Sequence, residues 1–184
     1  MGYLANKGSS VRARPAGGPA CNERGVTLVE LLFAIMVIAI LTVIAIPSFR
    51  DATLSGRLSA ISSDLYTSVQ LARSEAIKSN ATRTLCTSSD GLTCASSTAW
   101  GQGWIVIDGA GNVLQSQPAV PTGYKVVQSG AAANLSFQPI GVGSSSATFT
   151  ICRDTPIGNQ NRVISVLAMG SASVKRNDNT TTCP

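Results

Sequence analysis

The sequence predicts an α+β protein, with one long N-terminal helix, transmembrane in its first half, packed on an antiparallel two-sheet β head. Three observations carry this. An apolar run from Val26 to Ile46 covers 21 residues, enough at about 1.5 Å per residue to cross a bilayer core. Beyond it Leu54, Leu58, Ile61, Leu65, Val69, Ala72 and Ala76 recur at three- and four-residue steps, the spacing of one helix face. From Ala81 onward short segments rich in Val, Ile, Thr and aromatics alternate with turn-forming residues.

Taken in chain order, residues 1–25 are rich in Gly, Ala, Ser and Pro, lack apolar periodicity and read as a disordered leader. The helix is predicted from Val26 to Ser79. Its segment 26–46 lies in the membrane, and 47–80 is an amphipathic continuation into the head. Pro47 ends the apolar run and removes a backbone donor. Gly56 weakens the helix by about 1 kcal/mol relative to alanine, and Asn80 is a candidate C-terminal cap. The head, 81–184, carries predicted strands at Arg83–Cys86, Gly103–Ile107, Val113–Gln117, Tyr124–Ser129, Leu135–Phe137, Ala147–Cys152, Arg162–Ala168 and Ser171–Lys175. Asp108–Asn112 reads as a hairpin connection; its glycines raise a phosphate-loop question, but no helix follows and the G-x-G is incomplete. Gly141–Ser146 reads as a flexible loop.

The whole chain carries +5 at neutral pH. Lys7, Arg12, Arg14 and Arg24 against Glu23 place +3 of this in 1–25, leaving ten basic and eight acidic residues, +2, in the remainder. The basic leader matches the positive-inside rule, and the balance argues against a nucleic-acid-binding surface over the whole molecule. Of five cysteines, Cys21 lies in the leader, and Cys86, Cys94, Cys152 and Cys183 lie beyond the membrane segment. An even count in an oxidising compartment points to disulfides. Sequence alone leaves three connectivities open. Cys86–Cys94, stapling a hairpin, and Cys152–Cys183, tying down the tail, are the preferred pairs, worth about 2.6 and about 3.7 kcal/mol by loop-closure entropy. A zinc site lacks both histidine and paired C-x-x-C spacing. With no histidine there is no Ser-His-Asp or Cys-His pair, and the carboxylates show no pairing by spacing. No catalytic residue, cofactor or metal is assigned, and the chain reads as an assembly component.

Glu30 stands close to the start of an otherwise apolar segment, in which Thr42 is the lone polar residue from Leu31 to Ile46. A charge there costs about 2.5–3.5 kcal/mol at a membrane helix centre and less near an end, so it implies a function. An ordinary secretory signal peptide and a simple anchor are the plainer readings. The apolar run is long for the first, and neither gives Glu30 a purpose. Arg24-Gly25-Val26-Thr27-Leu28-Val29-Glu30 resembles the class III signal of type IV pilins and type II secretion pseudopilins. That resemblance implies cleavage after Gly25 by a prepilin peptidase, methylation of Val26 as the new first residue, and pairing of Glu30 with the N-terminal amine of a neighbouring subunit. Val26 departs from the usual phenylalanine or methionine.

The head continues the resemblance. A cysteine ends the first strand, followed by Trp100-Gly101-Gln102-Gly103-Trp104, Phe137-Gln138-Pro139-Ile140-Gly141, Thr148-Phe149-Thr150-Ile151-Cys152 and a terminal cysteine. This series is similar to the GspH/FimT/FimU group of minor pilins and pseudopilins. It implies a minor type IV pilin that helps initiate assembly or sits at the tip. The subunit would hold to inner-membrane lipid by one span with its head in the periplasm, and join a pilus or pseudopilus with other major and minor pilins. One alternative is a type II secretion pseudopilin. Another is a DNA-binding minor pilin for natural transformation, with Lys175 and Arg176 in an imperfect G-R-x-R-like element and Arg153 and Arg162 nearby. Trp100 and Trp104 are expected in the core, with an exposed docking surface as the alternative.

Overall fold

The computed structural model describes residues 25–143, 145–155, 158–178 and 183–184. The leader, read as 1–25, lies outside the described residues apart from Gly25. The chain divides into two units, Met1–Val43 and Ile44–Pro184. One helix, α1, runs over Leu28–Lys78, 51 residues. It starts two residues later than the apolar run because Thr27 caps it, and it continues through Pro47. At its far end Asn80 adopts φ +47°, and the Ala81 amide donates to the Ala76 carbonyl at 3.2 Å. That left-handed close satisfies carbonyls the last turn would leave open.

Among the described residues eight strands follow: β1 Arg83–Thr87, β2 Trp104–Ile107, β3 Val113–Gln117, β4 Tyr124–Ser129, β5 Asn134–Phe137, β6 Ala147–Arg153, β7 Gln160–Val166 and β8 Ala172–Asp178. They form two four-stranded sheets, ordered β3-β2-β1-β5 and β4-β6-β7-β8, and every pairing is antiparallel. Val113–Gln117 and Tyr124–Ser129 keep their predicted bounds, the first, second, fifth and sixth strands shift by one residue at one end, and the last two strands move further. The seventh strand starts at Gln160 and ends at Val166, and the last continues past Lys175 to Asp178. The β7–β8 ladder keeps its register from Val166↔Ala172 to Gln160↔Asp178, so pairing carries the strand past Lys175. A 3-10 turn, Trp100–Gln102, precedes β2.

The apolar stripe of α1 faces inward: Leu54, Leu58, Ile61, Leu65, Val69, Ala72 and Ala76 are all buried. They share one core with Leu85, Val106, Leu135 and Phe137 of the first sheet and Phe149, Ile151, Ile164 and Val166 of the second. Helix and both sheets thus bury one another, which makes 44–184 a single packed layer system. Trp100 and Trp104 lie in that core, with 0% and 2% exposure, which removes the docking-surface alternative for them. The Trp100 indole N–H donates to the Ala132 carbonyl at 2.9 Å and that of Trp104 to Ser68 Oγ at 3.0 Å. Both therefore satisfy their polar atom while burying the ring.

The loop read as flexible at Gly141–Ser146 is tied at its start. The Gly141 amide donates to Gln138, the Gly143 amide to Ala168, and Arg73 Nε reaches the Gly141 carbonyl at 3.1 Å. Gly170, with φ +79°, is pressed against that same carbonyl, so any Cβ there would collide with backbone. Gly103, at φ +112°, would place a Cβ 2.7 Å from the Gln117 carbonyl oxygen.

Candidate functional site

The N-terminal turn of α1 is capped by Thr27. Thr27 Oγ1 accepts the Glu30 amide at 3.2 Å, and the Leu31 amide donates to the Thr27 carbonyl at 3.1 Å. Thr27-x-x-Glu30 is a capping-box sequence, a signal available in the chain that a search for membrane charges passes over. Glu30 falls in the first turn, where the helix dipole favours a carboxylate. Among the described residues no ion pair involves it. Every side chain from Leu28 to Val43 is exposed. The helix is long and apolar enough to cross a membrane. Thr42, the polar interruption, returns its hydroxyl to the Ala39 carbonyl at 2.8 Å, so its donor is satisfied within the helix.

The head carries disulfides Cys86–Cys94 and Cys152–Cys183, each with Cα atoms 5.6 Å apart. Within the smaller ring Asp90 organises the backbone. Its carboxylate accepts from the Ser88 and Thr93 hydroxyls at 2.9 and 2.7 Å and from the Leu92 and Thr93 amides at 2.8 and 2.9 Å. The Thr93 hydroxyl, then the Thr93 and Leu92 amides, hold its pKa well below the ordinary carboxylate value. A depressed carboxylate stabilises the fold fully above its unfolded pKa and loses that contribution as pH falls toward its folded one. In a carboxyl-carbon NMR titration Asp90 is expected to remain ionised well below the usual midpoint of about 3.9. An ordinary midpoint would dissolve this loop-organising role. Asp108 performs the same service in the β2–β3 connection, accepting the Ala110 and Asn112 amides, each at 2.8 Å. The stretch that raised a phosphate-loop question is thus an aspartate-centred turn.

The four cations considered for DNA do not form one patch. Arg162 is buried. Arg176 lies directly across the ladder from it and is bonded through Nε to Asp178 Oδ1 at 2.7 Å. Lys175, the next residue along an extended strand, projects to the opposite face. Arg153 sits with its guanidinium 5.9 Å from the Tyr124 ring centroid. Among the described residues no group of three or more Cys, Asp or Glu could hold a metal ion.

An exposed apolar helix with an acidic first turn, continuing into a disulfide-linked head of helix and two antiparallel sheets, is the architecture of a pilin-type subunit. The family model described as Type II transport protein GspH matches residues 62–170, and the prokaryotic N-terminal methylation motif matches 21–46. The former spans more than half of the chain, which belongs to the GspH family. No curated protein matches it in sequence. Among solved structures, the type IV minor pilin FimU of Pseudomonas aeruginosa gives a TM-score of 0.54 at 21% identity, covering 66% of this chain and 90% of that one. A second crystal form of FimU gives 0.51 at 20%, covering 64% and 92%. The minor pseudopilin EpsH of the Vibrio cholerae type 2 secretion system gives 0.49 at 12%, covering 65% and 96%. The FimU likeness shows the fold. The family is one of pilins and pseudopilins, structural subunits that work in assemblies.

Proposed function

We propose that this chain is a minor type IV pilin that helps initiate pilus assembly or occupies the tip. The observation that supports it best is the run of exposed apolar side chains from Leu28 to Val43 with Glu30 in its first turn. In lipid such a surface is at rest, and outside lipid it must be buried against other apolar helices. In this reading prepilin peptidase cuts after Gly25 and Val26 becomes the methylated first residue. Segment 26–46 holds the subunit in the inner membrane with 47–184 in the periplasm. On extraction, Glu30 meets the amine of an adjacent subunit, which sets axial register and lowers the cost of burying the charge.

Mass spectrometry of the membrane-extracted chain tests the processing step. The expected wild-type N-terminus is methylated Val26, and Gly25→Val is expected to leave a precursor that retains residues 1–25. An N-terminus near Pro47 would mean that the apolar run is removed as a signal peptide. The description of the matching family model favours a second reading, a type II secretion pseudopilin. Sheared surface filaments containing the chain support the pilus reading. A chain confined to the envelope, whose deletion abolishes protein secretion, supports the pseudopilus.

A further inference from the structure

Arg162 is placed where its charge is expensive. On β7 it takes the inward positions' alternation with Ile164 and Val166, and it is 4% exposed. Its Nη2 donates to Ser55 Oγ at 2.8 Å and Ser59 Oγ at 3.3 Å, and its Nη1 to the Asn161 carbonyl at 3.1 Å. All three acceptors are neutral, and among the described residues no carboxylate makes an ion pair with it. Across the ladder stands a second guanidinium, Arg176. Like charges opposite one another on a sheet face are destabilising. Burial first, and Arg176 second, lower the Arg162 pKa, with Asp178 opposing them. A buried charge without a counter-charge costs stability that an apolar residue of similar volume would restore.

A cavity of about 270 Å³ opens over this guanidinium, between α1 and the edge strand β8. Ser62, Ser63 and Tyr66 line it from the helix, Val174 and Arg176 from the strand. Tyr66 already accepts a hydrogen bond from Gln70 Nε2 at 3.2 Å, which leaves its own hydrogen to donate. The surroundings are two cations and several hydroxyls, and the nearby acid, Asp178, is engaged with the Nε edge of Arg176. That chemistry recognises an oxyanion.

We infer that this groove binds one carboxylate, presented by an acidic side chain of a neighbouring subunit and held between Arg162 and Arg176. The inference rests on the chain working in an assembly with other pilin-type subunits. Arg176, bonded to Asp178 through Nε, presents its Nη1–Nη2 edge for a bidentate carboxylate, which also supplies the counter-charge that the buried Arg162 lacks. A nucleic-acid backbone fits less well. Arg162 lies below the surface, within reach of a slender side chain, and the alternation of Lys175 and Arg176 gives no strip of cations for successive phosphates.

The test is thermal unfolding of the full chain in detergent micelles, in chloride, glutarate or phosphate at matched ionic strength, and with a short DNA duplex. Glutarate is expected to raise the wild-type Tm by about 3 °C over chloride. Arg162→Met should lose that rise while melting no lower than wild type in chloride, because the uncompensated charge is gone. Arg176→Gln, which leaves the buried residue in place, should reduce the rise and keeps the test decisive if Arg162→Met folds poorly. No glutarate effect, or an equal one in both variants, overturns the site. A response to phosphate or duplex without one to glutarate overturns the carboxylate assignment. In cells, unchanged incorporation of Arg162→Met into filaments overturns the neighbouring subunit as its source. The micelle experiment is independent of processing and assembly, so its failure is separable from failure of the pilin reading, which the Val26 mass decides.

Discussion

Glu30→Ala protein is expected to reach wild-type levels in the membrane and to fall at least about tenfold in the filament or pseudopilus fraction, the equivalent of roughly 1.4 kcal/mol. Insertion loses nothing, since an alanine removes a charge that costs up to about 3 kcal/mol in an apolar span. The helix start survives as well, because its cap uses the Thr27 hydroxyl and the Glu30 backbone amide, not the carboxylate. What the variant lacks is the anion that would meet a neighbouring amine once the helix leaves lipid. Glu30→Gln separates charge from polarity. If the pairing is ionic, glutamine should fail as alanine does, whereas rescue by glutamine would reduce the contact to a hydrogen bond. Wild-type incorporation of Glu30→Ala would remove the register role. Quantitative immunoblots of membrane and sheared fractions from one culture read both numbers.

The helix stripe and the strands were legible because each rests on local periodicity. Seven apolar positions at three- and four-residue steps permit one helix face, and all seven are buried. Trp100 and Trp104 were legible as core for a similar reason, since a large ring between short strands has few other places to go. The end of β8 was not legible. Asn177 and Asp178 are poor strand formers, and it is the pairing with β7 that carries the strand through them. Arg162 shows the cost of reading charges one by one. Counted with Arg153, Lys175 and Arg176 it suggested a surface cluster, yet its two-residue offset from Ile164 already placed it on the inward face. The capping role of Thr27 is written in the chain as T-x-x-E, and it engages the amide of Glu30, a group that the carboxylate's charge does not reveal.

Truncating Phe149 is expected to have the largest effect on the head itself. Phe149 occupies the middle of β6, opposite Gln128 on β4 and Ile164 on β7, and is fully buried. Its ring meets Trp100 edge-to-face, with centroids 4.9 Å apart and planes at 79°. Trp100 is fixed in turn by its indole bond to Ala132, so it is poorly placed to collapse into a vacated space. Phe149→Ala therefore loses burial, leaves a cavity and breaks an aromatic pair, costing about 3–5 kcal/mol. Against a total of about 5–15 kcal/mol for a domain of this size, that is a lowering of Tm by roughly 10–15 °C. Phe149→Leu should cost less, since it restores most of the volume while removing the ring edge. Both are read from near-ultraviolet circular dichroism melts of the full chain in micelles, where the tryptophan signal reports the core directly. A loss under about 1 kcal/mol for alanine would mean that α1 and the two sheets do not share one core at this position.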